Sequence, residues 1–427
     1  MTNSIFHELL LGATNSLGTH LPIWSVVPFI CMLLAIAILP LTHSPWWESN
    51  KHKAYVSIIL GVPVVIYFLI KDYHQLIHTA HEYFSFIILL AALYKISGGI
   101  LLEGNPEGRP FVNTLFLAIG AVLANLIGTT GASMLLIRPV LRTNNTRKHT
   151  KHIPIFFIFL VSNVGGCLTP LGDPPLFLGY LQGVPFFWTL KLFPLWITAV
   201  MILLLIFYLF DSHAWRKELG SDIASDTLLE EPLGIKGKLN FLWLLGVLGA
   251  VFLQTPYREA AMILMAYLSY RFTPKEVKVK NKFTLYPITE VAVLFAGIFA
   301  TMIPALLILK ARGAEFGIEQ PWQFFWLTGS LSSFLDNAPT YLSFFSLAQG
   351  LGISGGIVGV PEDILLAISA GAVFMGANSY IGNGPNFMVK SICEEAGVEM
   401  PSFFGYMVYS SLILVPVFIL ITIIFLL

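Results

Sequence analysis

Charged side chains are scarce in this sequence. Lys, Arg, Asp and Glu make up 11% of its 427 residues, and 24 basic residues cancel 24 acidic ones, so net charge offers nothing to a nucleic acid. Cysteine is nearly absent: Cys31, Cys167 and Cys393 lie far apart in apolar surroundings without metal-ligand spacing, which excludes a disulfide framework and reads as three small core residues. The N-terminal stretch MTNSIFHELLLGATNSLGTHLPIW has no basic n-region and no small-residue cleavage site, so it reads as a short interfacial segment and not a signal peptide. What is abundant is apolar. The chain is 56% hydrophobic with a mean hydropathy of +0.77, more than a water-soluble core can hide. The expected fold class is an all-α polytopic membrane protein.

Crossings need about 20 apolar residues. Runs of that kind fall near 24–42, 54–70, 83–102, 153–181, 185–210, 239–253, 257–271, 287–310, 362–389 and 402–427, several of them short or interrupted. Two further runs, 111–140 and 321–349, are split by polar, Gly or Pro residues into arms, the second arm in each being about ten residues, a length suited to a re-entrant hairpin. With the loop RTNNTRKHTK (142–151) set on the cytoplasmic side, treating both runs as hairpins brings KHK (51–53), the charged linker 211–238 and RFTPKEVKVKNK (271–282) to that same side. Residues 1–210 and 239–427 then each hold five crossings and one hairpin, and the odd number inverts the second half relative to the first. GDPPLF (172–177) and GNGPNF (382–387) fall at matching places in the broken helices 153–181 and 362–389, sharing Gly172 with Gly382, Pro175 with Pro385 and Phe177 with Phe387.

Polar residues inside apolar runs carry the chemistry. LIGTTGAS (126–133), SNVGGCLTPLGDPP (162–175), SSFLDNAPT (332–340) and GANSYIGNGPN (376–386) would line one site, where unwound backbone frees carbonyls for cations and aims helix N-termini at anions. Asp173 and Asp336 are the carboxylates placed there, and an ionisable residue at bilayer depth is a functional candidate by default. Both could instead cap short helices. A carboxylate that holds either a metal ion or a proton, but not both, is sufficient for exchange of Na⁺ or Li⁺ against H⁺, with Asp173 and Asp336 as the Na⁺ ligands. Thr129, Thr130, Asn163, Thr169, Asn337, Asn378 and Asn383 are candidate assisting ligands; Ser133 and Asn386 share their ambiguity between ligand and helix staple. Lys95 either pairs with one of the acids or snorkels to an interface. His74, His78 and His81 recur at helical spacing, as a zinc site would or, with no third ligand type beyond Asp72 or Glu82, as a wet helix face does. No cofactor is expected beyond Na⁺ as cargo. Two membrane aspartates with the triplet Pro304–Leu306 suggest an intramembrane aspartyl protease, but the triplet precedes Asp336 and Pro170 stands where such enzymes need glycine, so an enzyme is not expected.

SNVGGCLTPLGDPP and SSFLDNAPT resemble the paired signatures of the ion-transporter superfamily, the branch holding NhaD-type sodium/proton antiporters, ArsB-type arsenite pumps and citrate transporters. That resemblance covers most of both halves. It implies a homodimeric secondary transporter of a bacterial-type cytoplasmic membrane, with two inverted repeats and a transport subdomain that moves against a scaffold in an elevator-type motion. Many relatives carry an Asp-Asn pair in the first hairpin, where this chain reads GTTG with Thr129 in place of the acid; carboxylate-carrying relatives have a Ser-Asn-Thr triplet at each tip, absent here. Na⁺(Li⁺)/H⁺ exchange is therefore the leading expectation, Na⁺- or H⁺-coupled carriage of citrate or another carboxylate the alternative, and arsenite efflux the third.

Overall fold

Proline and glycine mark three of the four breaks in the split runs and broken helices, although Pro40, Pro63, Pro139, Pro304 and Pro416 lie inside continuous helices. The structure, a computed structural model, describes residues 17–218, 231–281, 284–353 and 355–427; residues 1–16 of the expected interfacial stretch 1–24 and the linker residues 219–230 lie outside the described residues. Helices α1 (Val27–Thr42), α2 (Asn50–Lys71) and α3 (Tyr73–Ser97) come first, then strand β1 (Leu101–Asn105). The first split run follows as α4 (Pro110–Ile127) and α5 (Thr129–Thr143), the broken helix as α6 (His152–Leu160) and α7 (Pro174–Leu181), then α8 (Phe193–Trp215). After β2 (Glu231–Lys236) come α9 (Leu239–Ala250), α10 (Tyr257–Phe272) and α11 (Tyr286–Arg312). The second split run is α12 (Pro321–Ser332) and α13 (Asn337–Gln349), and the second broken helix is α14 (Glu362–Met375) and α15 (Gly384–Glu395), before α16 (Phe403–Phe425) closes the chain. Pro110, Pro174, Pro321 and Pro385 sit at the first or second helical position, where the missing N–H has no intrahelical partner to lose.

Seven of these segments are long and apolar enough to cross a membrane, and the only sheet among the described residues is the antiparallel pair β1–β2, so the protein is an all-α polytopic membrane protein. Six of the seven are expected crossings. The seventh is α4, the first arm of an expected hairpin, with 18 residues, and the second arms α5 and α13 have 15 and 13 residues instead of about ten. Cys167 and Cys393 are buried as expected, whereas Cys31 lies exposed on α1, which makes it a surface residue and not part of the core.

Each split run turns back to the end from which it started. Asn113 and Asn144 exchange side-chain hydrogen bonds of 2.9 and 2.8 Å, and Arg147 donates to the carbonyl of Gly108 at 2.9 Å, so the start of α4 lies beside the end of α5. Ala314 N–H likewise donates to Gly350 C=O at 3.2 Å, joining the residues before α12 to those after α13. The open ends of the two split runs sit at opposite ends of α11: Asn281 donates to Gly98 and Ile100 carbonyls near its start, while Gly313 follows its end. A 27-residue helix spans about 40 Å.

The helices pack in two groups. One consists of α1–α3 and α9–α11; the other contains both split runs, both broken helices, α8 and α16. They meet where α11 lies on α13 and where α3 lies on α5 and α7.

In both broken helices the backbone crosses itself at a glycine pair. A Cβ on Gly172 would stand 2.0 Å from the Gly166 carbonyl oxygen, and one on Gly382 would stand 2.6 Å from that of Gly376. Backbone cannot yield as a side-chain tip can. Gly172→Ala is therefore expected to destabilise the protein by about 1–3 kcal/mol or to prevent folding, whereas Gly384→Ala, with nothing within 4 Å of its Cβ, should leave it near wild type. Thermal unfolding in detergent, followed by size-exclusion fluorescence, tests the contrast; equal midpoints would show that the crossing tolerates a methyl group.

Candidate functional site

Four helical segments begin at one buried carboxylate. Thr129 opens α5 and Asn337 opens α13, while Asp173 directly precedes α7 and Asn383 directly precedes α15. Asp173 is 1% exposed. Its Oδ1 accepts from the Thr129 hydroxyl at 2.8 Å and from Asn383 Nδ2 at 3.0 Å, and its Oδ2 accepts from Asn337 Nδ2 at 2.5 Å. Buried charge without partners is expensive, and hydrogen bonds to a charged group are each worth about 1.5–3 kcal/mol, so this acid ties both tips to both broken helices. Among the described residues no Lys, Arg or His forms an ion pair with it.

A second ring of amides holds the first in place. Asn383 Nδ2 also lies 3.1 Å from the Ser162 carbonyl and 3.3 Å from Asn163 Oδ1. Asn163 donates to the Ile158 carbonyl at 2.8 Å and to Asn386 Oδ1 at 2.7 Å, and Asn386 donates to the carbonyls of Gly376 and Ser379. Asn337 Oδ1 is buried and accepts no hydrogen bond among the described residues.

The two halves repeat three contacts at a constant separation in the broken helix. Asn125 Nδ2 donates to Gly165 C=O, as the Ser333 hydroxyl does to Met375 C=O. Leu168 N–H donates to Asn125 Oδ1, as Asn378 Nδ2 does to Ser333 Oγ. The Thr169 hydroxyl donates to Asn125 C=O, as that of Ser379 does to Ser333 C=O. Thr129 and Asn337 are both the first residue of a second arm, so the counterpart of Asp336 is Gly128 and not Thr129. Gly128 has φ +78°, and a Cβ there would approach Leu171 C=O at 3.3 Å, so an acidic side chain has no place at the first tip.

Of the residues singled out in the sequence, Asp173, Thr129, Asn337, Asn383 and Asn163 are brought together. Asp336 is half-buried and turns to its own helix, accepting from Ala338 N–H at 3.0 Å as an N-cap. Thr169 and Asn378 staple the broken helices to the split runs, and Ser133 bonds Ser162 at 2.8 Å. Thr130 lines a cavity, and its hydroxyl makes no hydrogen bond among the described residues. Lys95 lies over the Tyr270 ring at 5.1 Å within the first helix group, away from both aspartates. His74, His78 and His81 are exposed, with only His78 near an acid, Glu82 at 3.7 Å, and no group of three metal-ligating side chains occurs among the described residues. Asn125 and Ser333, which hold the broken helices to the split runs, are not singled out in the sequence, because a single amide or hydroxyl a few residues before a tip looks like ordinary helix glue.

A cavity of about 70 Å³ opens beside Asp173, walled by Gly128–Gly131 and Pro170–Pro174 on one side and by Leu89, Leu93 and Val291 of the other group. This is well below the volume range of small-molecule pockets.

A family model described as "Putative citrate transport" matches residues 18–426. No curated protein matches the chain. If the ring of donors is what holds the two halves together, Asn383→Leu should lower the unfolding midpoint more than Asp336→Asn, because it leaves Asp173 short of a donor while Asn still caps Ala338. Differential scanning fluorimetry of the two purified variants checks this; the opposite order would move the structural keystone to Asp336.

Proposed function

Because this chain belongs to the citrate-transport family whose model covers nearly all of it, we propose that it is a secondary transporter of a small carboxylate anion, citrate or a relative, coupled to Na⁺ or H⁺. The observation that carries the reading is the convergence of four helix N-termini on one interior point. Each such end bears about half a positive charge, and half-helices opposed in this way serve anionic groups. Three of the four contributing side chains donate to Asp173, which marks the place as one that favours negative charge.

Na⁺/H⁺ exchange, the leading expectation from the sequence, needs an acidic pocket left open to cations. Asp173 already accepts on both oxygens, and Asp336 is engaged as a cap, so direct competition of metal ion and proton for two bare carboxylates has less support than anion carriage. A coupling cation still has acceptors to meet: the orphaned Asn337 Oδ1 and the unused lone pair of Asp173. Arsenite efflux draws no specific support.

We place the two halves as an inverted repeat whose hairpins dip into a bacterial-type cytoplasmic membrane from opposite sides. In that arrangement the group holding the split runs and broken helices carries the substrate, the group of α1–α3 and α9–α11 is the scaffold of a homodimer, and transport is an elevator-type slide of one on the other. Close packing of α3 on α5 and α7, with only a small cavity between, corresponds to a closed stage of that cycle.

Proteoliposomes loaded with labelled citrate inside and a Na⁺ or pH gradient across the bilayer test the reading. Wild type is expected to move citrate in a gradient-dependent way, Asp173→Asn to lose at least tenfold of the rate, and Asp336→Asn to keep it within about threefold, since Asn is as good a cap as Asp. Na⁺-driven proton movement without citrate flux would replace this reading with exchange.

A further inference from the structure

We propose that a cavity at the basic end of the molecule, between α5 and the scaffold group, is a capture site for the carboxylate substrate, with Arg138 as its specificity-determining residue; this rests on the transport reading above. Met134, Arg138 and Arg142 follow one another at four-residue spacing on α5 and line a cavity of about 540 Å³. A neighbouring cavity of about 650 Å³ shares Arg138, Arg142 and Lys280 with it. Both volumes lie in the range of small-molecule pockets, whereas the cavity at Asp173 does not.

The charges around these cavities do not all count equally. Lys236 and Lys280 are matched by Glu103 and Glu276 through contacts of 2.8–3.1 Å, and hydrogen bonds to the two lysines hold Glu276 down to about 2, so that set stays ionised and neutral overall. Arg147 is committed to Asp211 at 2.6 Å and lies 3.7 Å from Glu218, and Lys151 is committed to Glu399. Arg142 is different: its guanidinium donates to the carbonyls of Gly104 and Leu102 on β1, at 3.0 and 2.9 Å, which fix its position without cancelling its charge. Arg138, half-buried, has no hydrogen-bond or ion-pair partner among the described residues. Two guanidinium groups one turn apart, neither with a carboxylate at ion-pair distance among the described residues, therefore face a space of ligand size, with Glu395 and Glu399 on the wall of the second cavity. Planar guanidinium forks match carboxylates in a way that ammonium groups do not.

The position fits a waiting place on the substrate's route. Arg138 stands nine residues beyond Thr129 on the same helix, about 14 Å along its axis from the ring of donors around Asp173. An anion held there is on the arm whose first residue touches the central acid, and it lies against β1 and Asn281, which belong to the connections flanking the scaffold helices. By the bias of Lys and Arg, this end faces the cytoplasm.

Two measurements on the full-length protein test the proposal. In the first, the purified protein is treated with phenylglyoxal and the modified arginines are read by mass spectrometry. Arg138 should react faster than Arg142 or Arg147, and citrate should slow it at least fivefold. In the second, citrate uptake is followed in proteoliposomes of zwitterionic lipid, with citrate presented to one face or the other. Arg138→Gln should raise KM at the basic face at least tenfold with kcat within about twofold, leave KM at the opposite face unchanged, and be partly rescued by Arg138→Lys. Absence of citrate protection, or an equal KM change at both faces, would overturn the capture site. So would an effect that appears only when anionic lipid is included, since the cavity would then be a headgroup site. A wild-type protein that moves no citrate yet shows the protection would keep the capture site and remove the transport reading.

Discussion

A carboxylate taken out of water must be met by donors from somewhere, and in this protein the donors come from segments far apart in the chain. Asp173 receives Thr129, Asn337 and Asn383, and all three residues stand at helix starts. Because each start must face the same point, both split runs have to turn back at their tips and both broken helices have to interrupt themselves. The interruptions in turn require backbone to cross backbone, which only the pairs Gly166/Gly172 and Gly376/Gly382 permit. Unwound backbone inside an apolar protein exposes carbonyls and N–H groups that need partners, and Asn125, Thr169, Ser333, Asn378 and Ser379 supply them. One buried charge thus accounts for much of what is irregular in the fold.

How much of this is legible in the sequence follows from the physics of each signal. Gly and Pro in an apolar run are visible because they act through their own backbone, and the breaks at Gly128, between α6 and α7 and between α14 and α15 fall at such residues, whereas the second tip, Ser333 to Asp336, has neither. Asp173 is visible because an acid in such a run has few bland explanations. The roles of the two aspartates are not. Whether an acid caps its own helix or reaches a partner more than a hundred residues away depends on side-chain direction, and the sequence LDNAP carries no mark of it. The match of Thr129 to Asp336 fails by one position for a similar reason: the first tip turns through a left-handed glycine, and the second through an extended aspartate, so counting residues from the motif misaligns the helix starts. Asn125 and Ser333 escape notice because their importance lies in which carbonyls they meet. The basic cavity cannot be found at all by reading along the chain, since α5, β1, β2 and the loop at Asn281 contribute to it from four stretches.

The division into two helix groups gives the site its context. The central cavity lies on the boundary between them, where apolar side chains of α3 and α11 face the tip of the first split run. Hydrogen bonds from Tyr180 to the Val251 carbonyl and from Gln182 to Glu82 cross that boundary, while the donors around Asp173 belong wholly to one group. In the elevator-type motion proposed above, the network around Asp173 would travel as one piece, and only the few hydrogen bonds across the boundary would have to be exchanged.

Charge balance at the centre also bears on coupling. Four helix N-termini contribute about two positive charges between them in the usual approximation of half a charge each. Asp173 and Asp336, when ionised, offset about the same amount, which leaves the empty site close to neutral. A citrate-like anion arriving alone would then bring two or three uncompensated negative charges into a low-dielectric interior, where Coulomb energies are several times those in water. Binding becomes favourable when cations come with it, by protonating one of the carboxylates or by occupying acceptors such as Asn337 Oδ1. On the transport reading proposed above, this near-neutral balance would make carriage of an anion depend on an accompanying cation.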